Sequence, residues 1–319
     1  VTRSVAVIGA GLIGRAWAIV FARAGFDVAL NDVSADALAT ARTAIDDALA
    51  DLADAGLIVE DPAAVLGRIR GEPDLAAAVA GAVYVQECGP EREADKRALF
   101  AELDRLAAPE TILASSTSGI VASRIVDGLS RPQRCLVAHP VNPPYLIPLV
   151  ELAPGPETDP AVVGAARALL DEAGQVPITV HGEVEGFILN RLQGAVLNEA
   201  LRLVQAGHVS MADLDRTMKH GLGTRWSFMG PFETIDLNAP GGIADYARRY
   251  GPLYQRIDAD AAEPPDWGEA AIARLERERR ESLPADALNA RQQWRDRRLM
   301  ALTVHQRRMQ ETQDNEERT

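Results

Sequence analysis

Lysine is almost missing from this 319-residue chain: of 33 basic residues only Lys96 and Lys219 carry an amine, so chemistry that needs a lysine has two candidates. Cysteine is as scarce. Cys88 and Cys135 stand outside any CxxC or Cys/His spacing, which excludes a disulfide framework, offers no thiolate metal site and suits a reducing cytoplasm. No metal is expected. No apolar run approaches the ~18 residues of a membrane span. The opening VTRSVAVIGAG enters a strand pattern at once, without signal-peptide organisation, so a cytoplasmic location with no membrane partner is expected. Acids outnumber bases, 46 to 33, and the net charge of -13 leaves no whole-chain footprint for nucleic acid. Aromatics are only 5% of the chain, yet hydrophobic residues reach 47%, enough for a real core in a length that suits about two domains.

What is present is ordered along the chain. From Val5 to about Val180, short β-branched runs at 5–8, 28–31, 83–87, 112–115, 136–138, 149–152 and 176–180 alternate with helical stretches at 36–55, 91–107 and 161–173. That alternation predicts an α/β fold, a doubly wound Rossmann-type parallel sheet with helices on both faces. After Gly186 the period becomes helical, with Leu192, Val196, Ala200 and Leu203 in register, then 210–220 and 228–250, and no convincing strand. Residues 1–185 are therefore expected to form the sheet domain and 186–319 an all-helical domain. Its last part, 274–319, holds eleven arginines interleaved with nine acids, the composition of solvated, ion-paired helices rather than of a nucleic-acid site. Trp294, Leu299, Met300 and Leu302 offer that tail one apolar face, for its own core or for a partner subunit.

Gly9-Ala10-Gly11-Leu12-Ile13-Gly14 is a G-x-G-x-x-G that follows the first strand and opens a helix, the context that gives the motif meaning. Gly9 allows the tight turn, Gly11 lets backbone approach a pyrophosphate, Gly14 lets helix and strand pack, and the helix N-terminus presents free N–H groups to the anion. Asp32 ends the second strand, where a carboxylate accepts from the adenosine ribose and repels a 2′-phosphate. NAD is favoured over NADP, with FAD a minor alternative.

Ligands in such sheets bind beyond the carboxyl ends of the strands. Of five histidines, only His139 directly follows a buried-looking strand; His181, His208, His220 and His305 lie in polar turn-like or helical contexts. A histidine exchanges protons near neutral pH, and a carboxylate on its second ring nitrogen fixes the tautomer. Glu151 is the candidate partner, although spacing alone leaves it open between that role and a surface acid.

The segments VIGAGLIGRAWA, QECGPEREADKRALF, SSTSGI, AHPVNPPYLIPLVEL, GFILNRLQGAVLNEA and GLGTRWSFMGPFET, spread from Val5 to about Tyr250, resemble the 3-hydroxyacyl-CoA dehydrogenase superfamily, and within it the lambda-crystallin / L-gulonate 3-dehydrogenase branch. The resemblance implies that His139 takes the hydroxyl proton as hydride leaves, that Glu151 is its acidic partner, and that Ser118 and Asn190 hold the reacting oxygen. It places Leu12, Ile13, Asp32, Glu91 and Lys96 at the cofactor and implies a homodimer built by the helical domain. For single residues other readings stay open: Ser118 as a helix N-cap, Asn190 as a satisfied core amide, Lys96 as an exposed charge.

The acyl-CoA enzymes typically carry a small apolar GxGxPMGP stretch where this chain has GLGTRWSFMGPFET. Arg225 puts a cation there, suited to a bidentate grip on a free carboxylate, unless it is an exposed arginine at a helix turn. The substrate expected is thus a small 3-hydroxy acid, L-gulonate first, with L-carnitine, 3-hydroxybutyrate and 3-hydroxyacyl-CoA as alternatives. A crystallin-like structural protein is the alternative of another class. The lysine scarcity now excludes one mechanism: the β-hydroxyacid dehydrogenases use a lysine on the first helix of their second domain, and GFILNRLQGAVLNEALRLV has none.

Overall fold

A computed structural model describes residues 3–261 and 263–317; residues 1 and 319, the outer ends of the two expected domains, lie outside them. The chain divides into two compact units, Val1–Asn190 together with Gln292–Thr319, and Arg191–Arg291. Among the described residues no helix is long and apolar enough to cross a membrane.

The first unit is built on eight strands: β1 (Ser4–Ile8), β2 (Asp27–Asn31), β3 (Ile69–Glu72), β4 (Ala82–Glu87), β5 (Ile112–Ser115), β6 (Cys135–Pro140), β7 (Leu149–Pro154) and β8 (Val176–Thr179). They form one sheet in the order β3-β2-β1-β4-β5-β6-β7-β8. Its middle strands are mainly apolar because both faces are covered. On one face the helices Leu12–Arg23, Ala35–Asp54 and Pro160–Glu172 bury Trp17, Phe21, Ile45, Leu49 and Leu170 against the sheet. On the other, Phe100, Leu103 and Ile125 pack on Val85 and Leu113.

Two features depart from the expected parallel sheet. Strand β3 was not anticipated: its sequence IRGE is short and largely exposed, since it lies at the sheet edge with β2 as its one neighbour. Strand β7 runs antiparallel to β6, while all other pairs are parallel. The connection 141–148 is too short for the crossover of about a dozen residues that a parallel neighbour requires.

The tail also differs from the expected division. The helix Leu288–Glu317 buries Met300, 4% exposed, in the core of the first unit, with Leu299 and Val304 packed beside it. Arg307 Nη1 donates to the carbonyl of Leu57 at 3.2 Å. Of the apolar face expected for this tail, Leu299 and Met300 pack on the sheet unit while Trp294 and Leu302 stay exposed, and 292–317 belong with that unit instead of with the helical half.

The second unit is all helical, as its periodicity predicts. Its first helix, Leu189–Gln205, buries Leu201 and Val204 and leaves Leu192 and Leu197 exposed. Trp267 Nε1 donates to Asn198 Oδ1 at 3.1 Å and Gln205 Nε2 to the Asp266 carbonyl at 2.8 Å, which fastens the following segment to that helix. Helix Met211–Thr217, capped by Ser210, runs into a π-helical turn at Met218–Leu222 and then Gly223–Trp226. The single helix expected over 228–250 is two, Pro231–Leu237 and Gly242–Asp260, interrupted where Pro240 and two glycines follow Asn238.

Candidate active site

The turn between β1 and its helix has the shape a dinucleotide needs. Gly9 lies at φ 105°, and a Cβ there would be 2.8 Å from the Cys88 carbonyl oxygen. A Cβ on Gly14 would be 1.7 Å from the Gly9 carbonyl oxygen, so strand and helix approach as only glycine permits. A Cβ on Gly11 would meet nothing within 4 Å: the backbone is bare toward the space a pyrophosphate would fill. No acid stands in the first turn of Leu12–Arg23 and no side chain caps it, so its N–H groups are free for an anion. Asp32 accepts from the backbone N–H of Ala10 and of Ser34, each at 3.0 Å, which holds its carboxylate beside the cradle. Leu12 is half exposed there and Ile13 packs on the core beneath. Asn142 Oδ1, three residues past His139, is buried without a partner among the described residues, an acceptor left for a bound group. These residues fit NAD.

The histidine–carboxylate pair is made by the antiparallel register. His139 lies directly opposite Glu151 across β6 and β7, so the two side chains share one face, and Nδ1 is 2.8 Å from Glu151 Oε2. Glu151 is fully buried and His139 is 5% exposed, which removes the reading of Glu151 as a surface acid. The other carboxylate oxygen accepts from the backbone N–H groups of Ile188 and Leu189 at 2.8 and 2.9 Å, at the start of the helix Leu189–Gln205. Burial opposes ionisation of Glu151, but the hydrogen bonds from His139, Leu189 and Ile188 outweigh it and hold the carboxyl below its usual range. Phe187, not foreseen from sequence, supports the pair: at φ 50° it buries its ring 5.5 Å from the imidazole and turns the two N–H groups toward Glu151. Such a conformation is rare for a bulky residue and persists where packing over-determines it. Its only sequence signal is Gly186 before it.

On the neighbouring strand, the turn after β5 presents Ser118 at the surface. Its N–H donates to Glu91 Oε1 at 2.9 Å, and its carbonyl accepts from Asn190 Nδ2 at 2.7 Å. Ser118 does not cap a helix, because the short helix Ala122–Val126 has no side-chain cap, and Asn190 is half-buried rather than a core amide. Lys96 is 2% exposed rather than a surface charge. Its ammonium bonds both oxygens of Glu87, each at 2.9 Å. Glu87 is a second residue the sequence reading passed over, although it ends β4 as an acid at the carboxyl edge.

In the helical unit, Arg225 is half-buried and has no ion pair or hydrogen bond from its guanidinium among the described residues. It follows the π-helical turn, where a Cβ on Gly223 would lie 2.9 Å from the Met218 carbonyl oxygen. Such turns often mark functional positions. Among the described residues no group of three or more His, Cys, Asp or Glu could hold a metal ion.

Oxidation of an alcohol by hydride transfer needs a nicotinamide to take the hydride and a base to take the proton, and the carboxyl edge of this sheet provides for both. The class is an NAD-dependent dehydrogenase acting on a CH–OH group. The chain belongs to the 3-hydroxyacyl-CoA dehydrogenase family: residues 4–184 match the model of its NAD binding domain and residues 186–279 that of its C-terminal domain. It is 43% identical over 310 residues to a lambda-crystallin homolog of Mus musculus, covering 96% of this chain and 97% of that protein. It is 40% identical over 251 residues to an L-carnitine dehydrogenase of Burkholderia mallei, covering 78% of this chain and 77% of that one. A solved structure of 5-formyl-3-hydroxy-2-methylpyridine 4-carboxylic acid 5-dehydrogenase, an NAD+-dependent dismutase, superposes with a TM-score of 0.83 at 29% identity, covering 95% of this chain and 98% of that one.

Proposed function

We propose that the protein oxidises the 3-hydroxyl of a small free hydroxy acid, L-gulonate to 3-dehydro-L-gulonate, as a cytoplasmic homodimer. The hydrogen bond between His139 and Glu151 carries this reading. A carboxylate only accepts, so Nδ1 holds the proton of that bond and Nε2 is left to take the hydroxyl proton. Ionised Glu151 then stabilises the imidazolium that forms. Bound NAD supplies the hydride acceptor. Gly9, Gly11, Leu12, Ile13, Gly14 and Asp32 hold its pyrophosphate and ribose, and Glu91 and Lys96 support its nicotinamide end. Ser118 Oγ, with no protein partner among the described residues, hydrogen-bonds the reacting oxygen beside Asn190.

Arg225 grips the substrate carboxylate, which a thioester lacks, and its unpaired guanidinium supports that assignment. The similarity to lambda-crystallin homologs favours the L-gulonate branch. The L-carnitine dehydrogenase relative supports a second reading, in which L-carnitine offers the same carboxylate and 3-hydroxyl. A purely structural role leaves the His139–Glu151 pair without a use. Exposed Leu192, Leu197, Phe228, Phe232 and Leu237 on the helical unit support dimerisation.

The test is NADH absorbance with L-gulonate, L-carnitine, 3-hydroxybutyrate and 3-hydroxybutyryl-CoA offered in parallel. L-gulonate should be turned over best, and Arg225→Ala should raise its KM. Turnover of none overturns the enzyme reading, and preference for the CoA ester overturns the role of Arg225.

A further inference from the structure

Glu87 has no place in the reaction described so far, yet its fully buried carboxylate joins three parts of the carboxyl edge. Its Oε1 accepts from the backbone N–H of Gly89 at 2.6 Å, which fixes the turn after β4. Oε2 accepts from Ser115 Oγ at 2.6 Å, at the end of β5. Lys96 Nζ donates to both oxygens from the helix Glu93–Leu106. Burying a carboxylate and an ammonium together is costly, and an apolar pair of similar volume would serve the core as well or better, so such a pair points to a use other than stability.

The use is visible in what Lys96 faces next. Its ammonium is 3.6 Å from Glu91 Oε2. The other oxygen of Glu91 receives Thr117 Oγ1–H at 2.5 Å and the N–H groups of Ser118 and Gly119 at 2.9 and 3.3 Å. One oxygen of Glu91 therefore gathers the turn that carries Ser118, while the other is held toward a cation whose own place is set by Glu87. With Asn190 bonded to the Ser118 carbonyl, the peptide is fixed from both sides and its hydroxyl is left free.

We infer that Glu87 is a positioning residue for the reacting oxygen: through Lys96 it orients Glu91, and through Glu91 it fixes the backbone that presents Ser118. This rests on the proposed role of Ser118. Glu87→Gln keeps the shape but turns an amide N–H toward the Lys96 ammonium, which then draws on Glu91 and loosens the Ser118 turn.

The experiment is steady-state kinetics, with NAD and whichever of the four substrates above the wild type oxidises fastest, on Glu87→Gln, Ser118→Ala and the double variant. Glu87→Gln should lower kcat about 10- to 100-fold, the scale of a sub-ångström to 1 Å misplacement of a reacting group. Ser118→Ala should lower kcat too, and in that background the effect of Glu87→Gln should shrink to about twofold or less, because both act on one contact. A Glu87→Gln effect undiminished without the Ser118 hydroxyl overturns the inference and leaves the role of Ser118 standing. A Ser118→Ala variant with wild-type kcat, or a wild type inert toward all four substrates, removes the underlying reading instead. Should Glu87→Gln fold poorly, Glu87→Leu/Lys96→Met removes both charges and keeps an apolar fill. It should unfold near the wild-type temperature with kcat still reduced, and wild-type kcat in that variant also overturns the inference.

Discussion

Replacing two glycines of the same turn by alanine should separate the fold from its ligand. At Gly14 the added Cβ would lie 1.7 Å from the Gly9 carbonyl oxygen and 2.9 Å from its carbon, both backbone, with Val7 Cγ1 at 3.4 Å behind. Relief requires the helix and the turn to part by more than 1 Å (roughly 1.5 Å), a displacement of packed backbone in the centre of the core. Gly14→Ala should cost at least the ~1–3 kcal/mol typical of overpacking. At Gly11 the same methyl meets no atom within 4 Å, and the residue has φ -70° and ψ -167°, which alanine adopts freely. Loss of a favoured N-cap and gain from a stiffer unfolded chain nearly cancel, so stability should change by less than about 1 kcal/mol. The methyl would stand where a pyrophosphate must meet backbone N–H groups, and each charge-assisted bond lost there is worth ~1.5–3 kcal/mol, an increase in Kd of about 10- to 100-fold. Thermal unfolding without ligand and calorimetric titration with NAD read the two effects separately. A Gly11→Ala variant that binds NAD like the wild type would refute the placement of the pyrophosphate. A Gly14→Ala variant of unchanged Tm would refute the packing argument.

Three further outcomes are expected. Glu151→Gln should lower kcat by about 10²- to 10⁴-fold with little change in the Kd for NAD, since the amide neither fixes the tautomer nor supports the imidazolium. Because the Glu151 carboxyl is held below its usual range, its contribution to stability is complete above about pH 4.5 and fades as pH falls through the lowered folded value. Acid unfolding curves of the wild type should therefore be steeper there than those of the Gln variant. Asp104→Asn leaves Arg134, 3% exposed and bonded to that carboxylate at 2.9 Å, without its counter-charge, and should lower stability by about 3–5 kcal/mol in urea titrations. Burial pushes the thiols of Cys88 and Cys135 up to about 12, so near about pH 8 neither should react quickly with a disulfide reagent in the native protein, and both should after unfolding. Rapid native labelling of Cys88, which is only partly buried, would contradict the raised thiol value.

Where a residue's meaning lies in local pattern, the sequence displays it: the three glycines, Asp32 and the apolar strands need only their neighbours along the chain. His139 was legible because it directly follows an apolar strand. Its bond to Glu151 was not, since it depends on β7 turning back beside β6, and the parallel pattern of the rest of the sheet hides that reversal until the length of 141–148 is considered. Glu87 goes unnoticed in the sequence, and Lys96 stays open between the cofactor and an exposed charge, because burial of a charged pair is a property of three strands and a helix at once. Strand β3 was missed because an edge strand with Arg70 and Glu72 in it lacks the apolar run that marks its neighbours. The helical interruption at 238–242 was present in the sequence as Asn-Ala-Pro-Gly-Gly and was overridden by the apolar spacing on either side.

The return of the last helix to the sheet unit bears on the order of events during synthesis. Domains usually fold in the order in which they leave the ribosome, N-terminal first. Here the groove that receives Met300, and the Leu57 carbonyl that meets Arg307 across 250 positions of sequence, stay open to water until nearly all of the helical unit has been made. The unit that starts first is thus the one completed last, and a nascent chain halted near residue 290 would display an unfinished nucleotide-binding half beside a finished helical one. Quality control that senses exposed apolar surface would find it in the domain whose own sequence motifs are already complete.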